Sequence, residues 1–457
     1  MKVLIVGAGE IGAQIARYLV EEKQSVVVIE REAAKCRELA SHIDASIIEG
    51  DGTDPTVLVR AGVADAELIL SVTDNDIANI LACNIASVYA PDAIRLARIR
   101  NKAYCDDERI LTKNGIDIAL NPEQLVVEKI ANLLSYRQCI DYVEFEEGRI
   151  SVIAYAMTEG TPLLGKRLKE IRQRYAEPDF LITMIIRGGK ATIPDGETEI
   201  LLGDRVYFLT RKADVPGIQR ILDVPTDPLT HVFIHGGDYL ARSIAKRLET
   251  RKGLSVKIAH PDAAKCEIMA TELEHALVLN GDPADEELLT DEYVDGNTVF
   301  IAADRDEERN LLSAVLAKGR SQRSRVLGVT SRSTYVPILT AIGLDVVLCP
   351  LNIAVSNILQ YLRKGVVVQM GALETKEATA IEFIASERLH GKPIHKLGLP
   401  QNVLIGALLR EKEGDPQGEV IIPTGLTKIR PYDRLIVFTP RSHYKHLDRH
   451  FALRGGR

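Results

Sequence analysis

Lys2-Val-Leu-Ile-Val-Gly-Ala-Gly-Glu-Ile-Gly12 opens the chain, and His231-Val-Phe-Ile-His-Gly-Gly-Asp-Tyr-Leu-Ala241 repeats its pattern near the middle. In each stretch a short apolar run predicts a β-strand, and a glycine-rich turn leads from it into a helical pattern. When the two strands are aligned, Asp238 stands where the first copy has Gly9. The chain therefore contains a duplicated Gly-x-Gly-x-x-Gly turn, and only the first copy keeps all three glycines.

The duplication extends through both halves of the chain. Further matched positions, about 230 residues apart, are Gly12 with Ala241, Glu30 with His260, Gly50-Asp51 with Gly281-Asp282, Asn79 with Asn310, and Gly115 with Gly343. A repeat of this kind determines the architecture of the whole chain. It predicts two halves with equivalent folds.

Each half is predicted to be an α/β domain with a small module behind it. In the first domain the predicted strands are Val3–Val6, Val26–Ile29, Ser46–Ile48, Leu68–Val72, Ile94–Ile99 and Asp117–Leu120. Because helical patterns separate these strands, they predict a Rossmann-like, doubly wound parallel sheet covered on both faces. The predicted domains are 1–137 (Rossmann-like), 138–224 (small α+β), 229–365 (Rossmann-like, degenerate glycine motif) and 366–457 (small α+β).

The module after the first domain has a different pattern of predicted strands and helices. Its predicted strands are Arg149–Met157, Phe180–Ile186 and Val206–Thr210, with a short helix at Leu163–Ile171. Two prolines in 223–230 resist both helix and strand, so this segment is predicted to link the halves. The basic tail, 441–457, is expected to form a solvated terminal helix.

Composition limits the possible functions. A net charge of −7 and a pI near 5.9 argue against nucleic-acid binding. The sequence contains no apolar run of about 18 residues, so it predicts no membrane span. The N-terminus lacks a signal-peptide pattern. The six cysteines form no Cys-x-x-Cys pair, which fits a reducing cytosol and gives no metal site.

The first glycine turn has the context of a dinucleotide site. Gly7 permits a tight turn, Gly9 lets the backbone approach a pyrophosphate, and Gly12 allows close packing of helix on strand. The helix N-terminus offers unpaired N–H groups to phosphates. Glu30 ends the second strand, where an acid bonds the ribose hydroxyls and favours NAD over NADP, although the adjacent Arg31 weakens that preference. The alternative is a purely structural glycine turn.

Further candidates follow later strands of the same sheet, at the edge where open α/β sheets bind ligands. Asp51 either bonds the adenine or holds its own turn. Thr73, followed by Asp74, either touches the ribose or caps the next helix. Arg98 either pairs with a phosphate or forms a surface ion pair.

Catalytic chemistry is not evident in the sequence. No Tyr-x-x-x-Lys pair occurs, the histidines are scattered, and no His/Cys spacing suggests a metal. We therefore predict neither catalytic residues nor an enzyme. In the second copy, Asp238 places a carboxylate where phosphates would approach, so any nucleotide there is expected to bind more weakly or to be of another kind.

The duplicated order of units resembles the TrkA-type regulatory subunit of Trk potassium uptake systems. The resemblance rests on the Gly-x-Gly-x-x-Gly turn, on Gly50-Asp-Gly-Thr53 and Ser71-Val-Thr-Asp74, and on the small module that follows each Rossmann-like unit. It implies RCK N-terminal (KTN) and C-terminal domains in two copies. By position, it implies nucleotide contacts from Gly7, Ala8, Gly9, Glu10, Ile11, Gly12, Glu30, Asp51, Thr73, Asp74 and Arg98.

The resemblance also implies a function. The chain would be a cytosolic nucleotide sensor, peripheral on the inner face of the cell membrane, which docks on and gates a Trk-type potassium-translocating subunit. NAD and NADH, or ATP and ADP, would be its ligands. Eight RCK units in a ring imply a homotetramer. The alternatives are an NAD-dependent dehydrogenase of unknown substrate and a scaffold whose bound nucleotide is structural.

Overall fold

A computed structural model gives the structure of the chain. It describes residues 1–146, 148–285, 288–289, 298–320, 325–362, 367–368, 378–385, 387–400, 402–412 and 415–440. The basic tail predicted at 441–457 lies outside the described residues. None of the helices in these ranges is both long and apolar enough to cross a lipid bilayer.

The first domain is built on a six-stranded parallel sheet. Its strands are β1 (Lys2–Val6), β2 (Ser25–Glu30), β3 (Ser46–Glu49), β4 (Leu68–Ser71), β5 (Ile94–Arg98) and β6 (Ile118–Leu120). Their order is β3-β2-β1-β4-β5-β6, so β2 and β3 lie on one side of β1 and β4 to β6 lie on the other. In an open α/β sheet, the point at which the strand order changes sides is the crevice in which ligands bind.

Helices connect these strands, and their sequences explain where they begin. They are α1 (Glu10–Glu21), α2 (Ala33–Ala40), α3 (Pro55–Arg60), α4 (Asp76–Tyr89), α5 (Lys102–Cys105), α6 (Glu108–Lys113) and α7 (Pro122–Leu133). Ile11, Ile15 and Leu19 recur every four residues on α1 and are buried. Asn75 caps α4 by accepting a hydrogen bond from the N–H of Ala78.

The first small module is an antiparallel sheet with two helices. It contains β7 (Asp141–Phe145), β8 (Ile150–Ala156), α8 (Leu168–Arg174), β9 (Phe180–Arg187), β10 (Lys190–Thr192), β11 (Arg205–Arg211) and α9 (Val215–Ile221). The strand order is β10-β9-β11-β8-β7. No helix or strand occupies 223–230, the segment predicted to link the halves.

The second Rossmann-like domain repeats the first. Its elements are β12 (His231–His235), α10 (Tyr239–Glu249), β13 (Ser255–His260), α11 (Ala263–Glu272), β14 (Leu277–Asn280), β15 (Thr298–Ala302), α12 (Glu307–Arg320), β16 (Arg325–Val329), α13 (Val336–Ala341), β17 (Val346–Leu348) and α14 (Pro350–Leu362). The parallel strand order, β14-β13-β12-β15-β16-β17, matches that of the first sheet position by position. The two crevices can therefore be compared residue by residue.

The second small module again forms a sheet of five strands. They are β18 (Val367–Val368), β19 (Ala378–Ile384), β20 (Leu404–Lys412), β21 (Asp415–Ile421) and β22 (Arg434–Pro440), in the order β18-β19-β22-β20-β21. Side chains of this sheet, such as Ile436 and Phe438, share one apolar core with Val152 and Leu209 of the first module. The two small modules therefore pack through a common core.

The compact units of the structure are not contiguous in sequence. One unit consists of Met1–Val126 together with Pro350–Ile358, and the other of Val127–Cys349 together with Leu359–Arg457. The first turns of α14 thus belong to the first unit, where Gln14 Nε2 donates to Asn352 Oδ1 at 3.3 Å. The four domain ranges predicted in chain order remain sequence-based predictions.

The fold is of the predicted class, with local differences in the first small module. The helix predicted at Leu163–Ile171 begins only at Leu168, because Gly165 adopts a left-handed φ of +69° that interrupts any earlier helical turn. Strands β7 and β10 and helix α9 were not predicted.

Candidate nucleotide-binding site

The glycine turn lies at the carboxyl end of β1 and has little room for side chains. Gly7 has a φ of +103°, and a Cβ there would lie 3.0 Å from the backbone nitrogen of Thr73. At Gly12 a Cβ would lie 1.9 Å from the carbonyl oxygen of Gly7. These two glycines therefore bring α1 and the segment after β4 close to the turn.

Gly9 has a different role, because a Cβ at this position would meet nothing within 4 Å. Gly9 is the N-cap of α1, and its carbonyl accepts the first helical hydrogen bond, from Ala13. The N–H groups of residues 10–12 therefore have no acceptor within the helix and point out of its N-terminus. This open space beside a helix N-terminus suits an anionic group.

The carboxylate of Glu30 lies beside this turn and is buried. Its Oε2 accepts from the N–H of Ala8 at 2.7 Å, and its Oε1 accepts from the N–H of Glu32 at 2.9 Å. Each oxygen has a further lone pair. The side chain is thus fixed at the end of β2, where it can still accept hydrogen bonds from ribose hydroxyls.

The intervening residues contribute mainly backbone. Ala8 and Ile11 are buried, whereas Glu10 is exposed at the first position of α1. Ile11 packs its side chain into the apolar face of α1, so only its N–H group is available at the turn.

Asp51 holds its own turn. Its Oδ1 accepts from the N–H of Thr53 at 2.9 Å and from the Thr53 hydroxyl at 2.7 Å. These hydrogen bonds lower the pKa of the Asp51 carboxyl. The neighbouring Gly52, which sequence reasoning did not single out as a site residue, packs against β1 so closely that a Cβ would lie 2.2 Å from Val6 Cγ1.

Thr73 is tied to Asn79 and does not cap α4. Its N–H and its hydroxyl both donate to Asn79 Oδ1, at 2.9 and 2.7 Å. The Asn79 amide donates in turn to the carbonyls of Thr73 and Arg98, at 3.0 and 2.8 Å. Asn79 is fully buried. It joins the ends of β4 and β5, a role that the sequence indicated only through its match with Asn310.

Asp74 and Arg98 form an ion pair at the same edge of the sheet. Arg98 Nη1 lies 2.8 Å from Asp74 Oδ1. The Nε of Arg98 is buried and has no hydrogen-bond partner in the described part of the chain. The guanidinium of Arg98 therefore makes an ion pair, one of the two roles that the sequence left open. Its Nε–H remains a donor without an acceptor in the described residues.

The second crevice differs at the matching positions. His235 replaces Val6 at the end of β12, is fully buried, and makes a 2.7 Å hydrogen bond through Nδ1 to the hydroxyl of Ser313. Burial lowers the pKa of His235 to about 4, so the ring is neutral at physiological pH. His260 and Asp304 lie 3.2 Å apart across the end of β12.

Metal and thiol chemistry find no support around either crevice. Within the described ranges no group of three or more His, Cys, Asp or Glu side chains is arranged to hold a metal ion. The cysteines are free, and burial raises the pKa of Cys83 to about 12 and that of Cys105 to about 11. Such thiols are poor nucleophiles at neutral pH.

Known families and proteins match this architecture over nearly the whole chain. The TrkA-N domain model matches residues 3–122 and 232–350, and the TrkA-C domain model matches residues 152–223 and 379–452. The chain is 32% identical over 452 residues to the Trk system potassium uptake protein TrkA of Vibrio alginolyticus, covering 97% of each chain.

Solved structures share the fold at low sequence identity. The GsuK RCK domain aligns with a TM-score of 0.62 at 19% identity, covering 99% of this chain and 95% of that one. The GsuK channel bound to NAD aligns with a TM-score of 0.61 at 18% identity, covering 99% of this chain and 79% of that one. At such identities, the alignments establish the RCK fold and no more.

Proposed function

The chain belongs to the TrkA family, with TrkA-N and TrkA-C domains in two copies, and on this basis we propose that it is the nucleotide-sensing regulatory subunit of a potassium uptake system. The observation that carries the proposal is the open space at Gly9, beside a helix N-terminus and a fixed carboxylate, Glu30. An adenine dinucleotide needs these same two features, for its pyrophosphate and its ribose.

The proposed ligand is NAD or NADH, with ATP and ADP as the alternative pair. In this arrangement the N–H groups at the N-terminus of α1 bind the pyrophosphate, and Glu30 accepts from ribose hydroxyls. Ala8, Glu10 and Ile11 contribute through the backbone of the turn. The unused donor of Arg98 and the exposed carboxylate of Asp74 lie at the same sheet edge. Asp51 and Thr73 shape the crevice through the turns that they hold.

Regulation requires that the nucleotide bind one conformation of the protein better than another. A tenfold preference corresponds to about 1.4 kcal/mol per site, and coupled sites in an oligomer add such preferences. We propose that this difference is transmitted to a potassium-translocating membrane subunit, on which the protein docks from the cytoplasmic side. We propose a sensor and not an enzyme, so incubation with NADH and a panel of carbonyl compounds should consume no NADH.

The proposed assembly is a homotetramer with eight RCK units in a ring. Helix α4 exposes Ile77 and Val88, at 66% and 77% of their surface, and α12 exposes Leu312 and Val315, at 49% and 43%. Apolar faces of this kind on both copies support contacts between chains.

The site is tested by charge at Gly9. Gly9→Asp copies the carboxylate of the second crevice into the first, and its Cβ enters open space, so the fold should be kept. Affinity for NADH, measured by calorimetric titration, should fall roughly 100-fold, because juxtaposed like charges cost several kcal/mol.

Gly9→Asn is the matched control, since it has nearly the same size without the charge. It should lose less than about tenfold in affinity. Equal losses in both variants would mean that no phosphate lies near residue 9. Unchanged affinity in Gly9→Asp would show that the assigned site is wrong.

A further inference from the structure

The second crevice is crossed by two of its own side chains, which lie in close contact. His260 ends β13 and Asp304 follows β15, on the two sides of β12, and His260 Nε2 lies 3.2 Å from Asp304 Oδ2. Both side chains are almost fully buried, with 8% and 4% of their surface exposed. The pair therefore lies over the carboxyl end of the central strand, where a Rossmann-like sheet holds its ligand.

The corresponding side chains of the first crevice do not meet. Glu30, which matches His260, points to the N–H groups of Ala8 and Glu32. Thr73, which matches Asp304, donates to Asn79. The end of β1 is therefore left open between them, whereas the end of β12 is covered.

The hydrogen-bond pattern defines the form of the His260 ring. The N–H of Asp262 donates to His260 Nδ1 at 3.0 Å, so Nδ1 is an acceptor and carries no proton. The neutral ring therefore has its proton on Nε2, which faces Asp304. A metal ion at Nε2 would require the proton on Nδ1, which the Asp262 N–H opposes. The two side chains therefore face each other across the crevice through Nε2 and Oδ2.

The backbone of the second turn is adapted to this ring. A Cβ at Gly237 would lie 2.9 Å from two ring atoms of His260, so the ring lies directly against the turn. The first copy has Ala8 at this position, and there the N–H donates to Glu30 instead. Gly237 and His260 thus form a matched set that fills the space beside the turn.

The helix N-terminus of the second copy also has an internal anion. Asp238 is the N-cap of α10, and its Oδ1 lies 3.2 Å from Lys265 Nζ. A carboxylate at the positive end of a helix is stabilised there and repels a phosphate. The N-terminus of α10 therefore already has a negative charge beside it.

We propose that His260 and Asp304 close the second crevice to dinucleotides, so that each chain binds one nucleotide, in its first Rossmann-like domain only. The two side chains are specificity-determining residues that exclude the ligand from one of two otherwise equivalent folds. This inference rests on the proposed function, since it assumes that the first crevice is a nucleotide site.

Stoichiometry tests the inference, with NADH as the probe and the full chain in a calorimeter. Wild-type protein should bind one NADH per chain, and Gly9→Asp should weaken that one site roughly 100-fold. Two sites in the wild type, or a site of undiminished affinity in Gly9→Asp, would overturn the inference. No binding in the wild type would instead overturn the proposed function, and with it the contrast between the crevices.

A second arm tests the two side chains themselves. The triple variant Asp238→Gly, His260→Glu and Asp304→Thr gives the second crevice the residues of the first at these three positions, and it should raise the stoichiometry to two. Asp238→Gly alone is the control and should leave it at one. If the folded triple variant, checked by circular dichroism, stays at one site, His260 and Asp304 are not what excludes the nucleotide.

Discussion

A buried asparagine makes similar hydrogen bonds in each half of the chain. Asn79 ties the backbone after β4 to the end of β5, and Asn310 accepts from the N–H of Asp304 and donates to the carbonyls of Asp304 and Val329. Only in the first half does the amide also accept from a side chain, the hydroxyl of Thr73. The two residues therefore share a structural role, and Asn79 has an additional one at the site.

Replacing either asparagine should destabilise the protein. Each Ala variant leaves buried backbone groups without partners, so we expect each to cost about 2–4 kcal/mol in the free energy of unfolding by urea. Only Asn79→Ala should also weaken NADH binding, because only Asn79 positions Thr73. Equal affinities for NADH in Asn79→Ala and Asn310→Ala would mean that Thr73 does not contribute to the nucleotide site.

His235 should make the fold sensitive to acid. Its pKa is about 4 in the folded chain, against about 6.5 when unfolded. Between these values the unfolded chain binds a proton that the folded chain does not, so stability is complete above pH 6.5 and is lost as pH falls towards 4. At pH 5 the loss is about 2 kcal/mol.

His235→Val, which restores the residue of the first copy, should remove this contribution. The hydroxyl of Ser313 keeps its hydrogen bond to the carbonyl of Asn310. Urea unfolding at pH 7.5 and pH 5.0 would measure the difference. If wild type and variant lose the same stability between the two pH values, His235 does not cause the sensitivity.

At the scale of single residues the sequence predicted candidate positions but not the internal partners of their side chains. The Gly-x-Gly-x-x-Gly turn and the end of the second strand indicated Gly7, Gly9, Gly12 and Glu30, because glycine and an acid have fixed roles there. It left Asp51, Thr73 and Arg98 open, since a side chain that can bind a ligand can equally hold a turn or an ion pair. Only distances show which internal bonds each of them makes.

Helix α1 lies very close to the turn that follows β1. Because a Cβ at Gly12 would lie 1.9 Å from the carbonyl of Gly7, an added methyl group must displace the helix. Gly12→Ala should therefore cost about 1–3 kcal/mol of stability and should also weaken NADH binding, as the helix N-terminus moves.

Gly9→Ala is the control for this effect, since its Cβ enters open space three residues earlier. Thermal unfolding should show a clearly lower midpoint for Gly12→Ala and at most a small decrease for Gly9→Ala, since alanine is a weaker N-cap than glycine. Equal decreases in both variants would mean that the contact of Gly12 with the carbonyl of Gly7 is not what destabilises Gly12→Ala.

Elements with a strong period were predicted within one or two residues, and those with a weak period were not. The strands of the first sheet are nearly continuous apolar runs because both faces are covered, so β1, β2 and β4 stand out. Leu163 is fully buried and resembles the start of a helix. The left-handed Gly165 that postpones α8 is a backbone property, which the apolar pattern does not reveal.

For the whole molecule the main prediction concerns assembly. Ile77→Asp places a charge on the exposed apolar face of α4, so it should break the contacts between chains. Light scattering after size exclusion should show a homotetramer for the wild type and smaller species for the variant.

Val59→Asp is the matched control, because Val59 is also an exposed apolar residue, with 53% of its surface exposed, but it lies on α3. It should remain tetrameric. An Ile77→Asp protein of unchanged mass would show that the α4 face makes no contact on which the assembly depends.

Chain order predicts the two copies but not which helices complete them. The repeat predicts a closing helix after β6 and another after β17, at equivalent places. It gives no reason to assign Pro350–Ile358 to the unit formed by the first 126 residues. That assignment depends on contacts between residues far apart in sequence, such as Gln14 with Asn352, and a periodic pattern does not specify its partner.

This arrangement has a consequence for biosynthesis. The ribosome has to translate residues 127–349 before it makes the helical turns that complete the first unit. At 5–20 residues per second this takes roughly 10–45 s. During that interval the first unit is incomplete, so we expect chaperones that bind at the exit tunnel to bind the nascent amino-terminal domain.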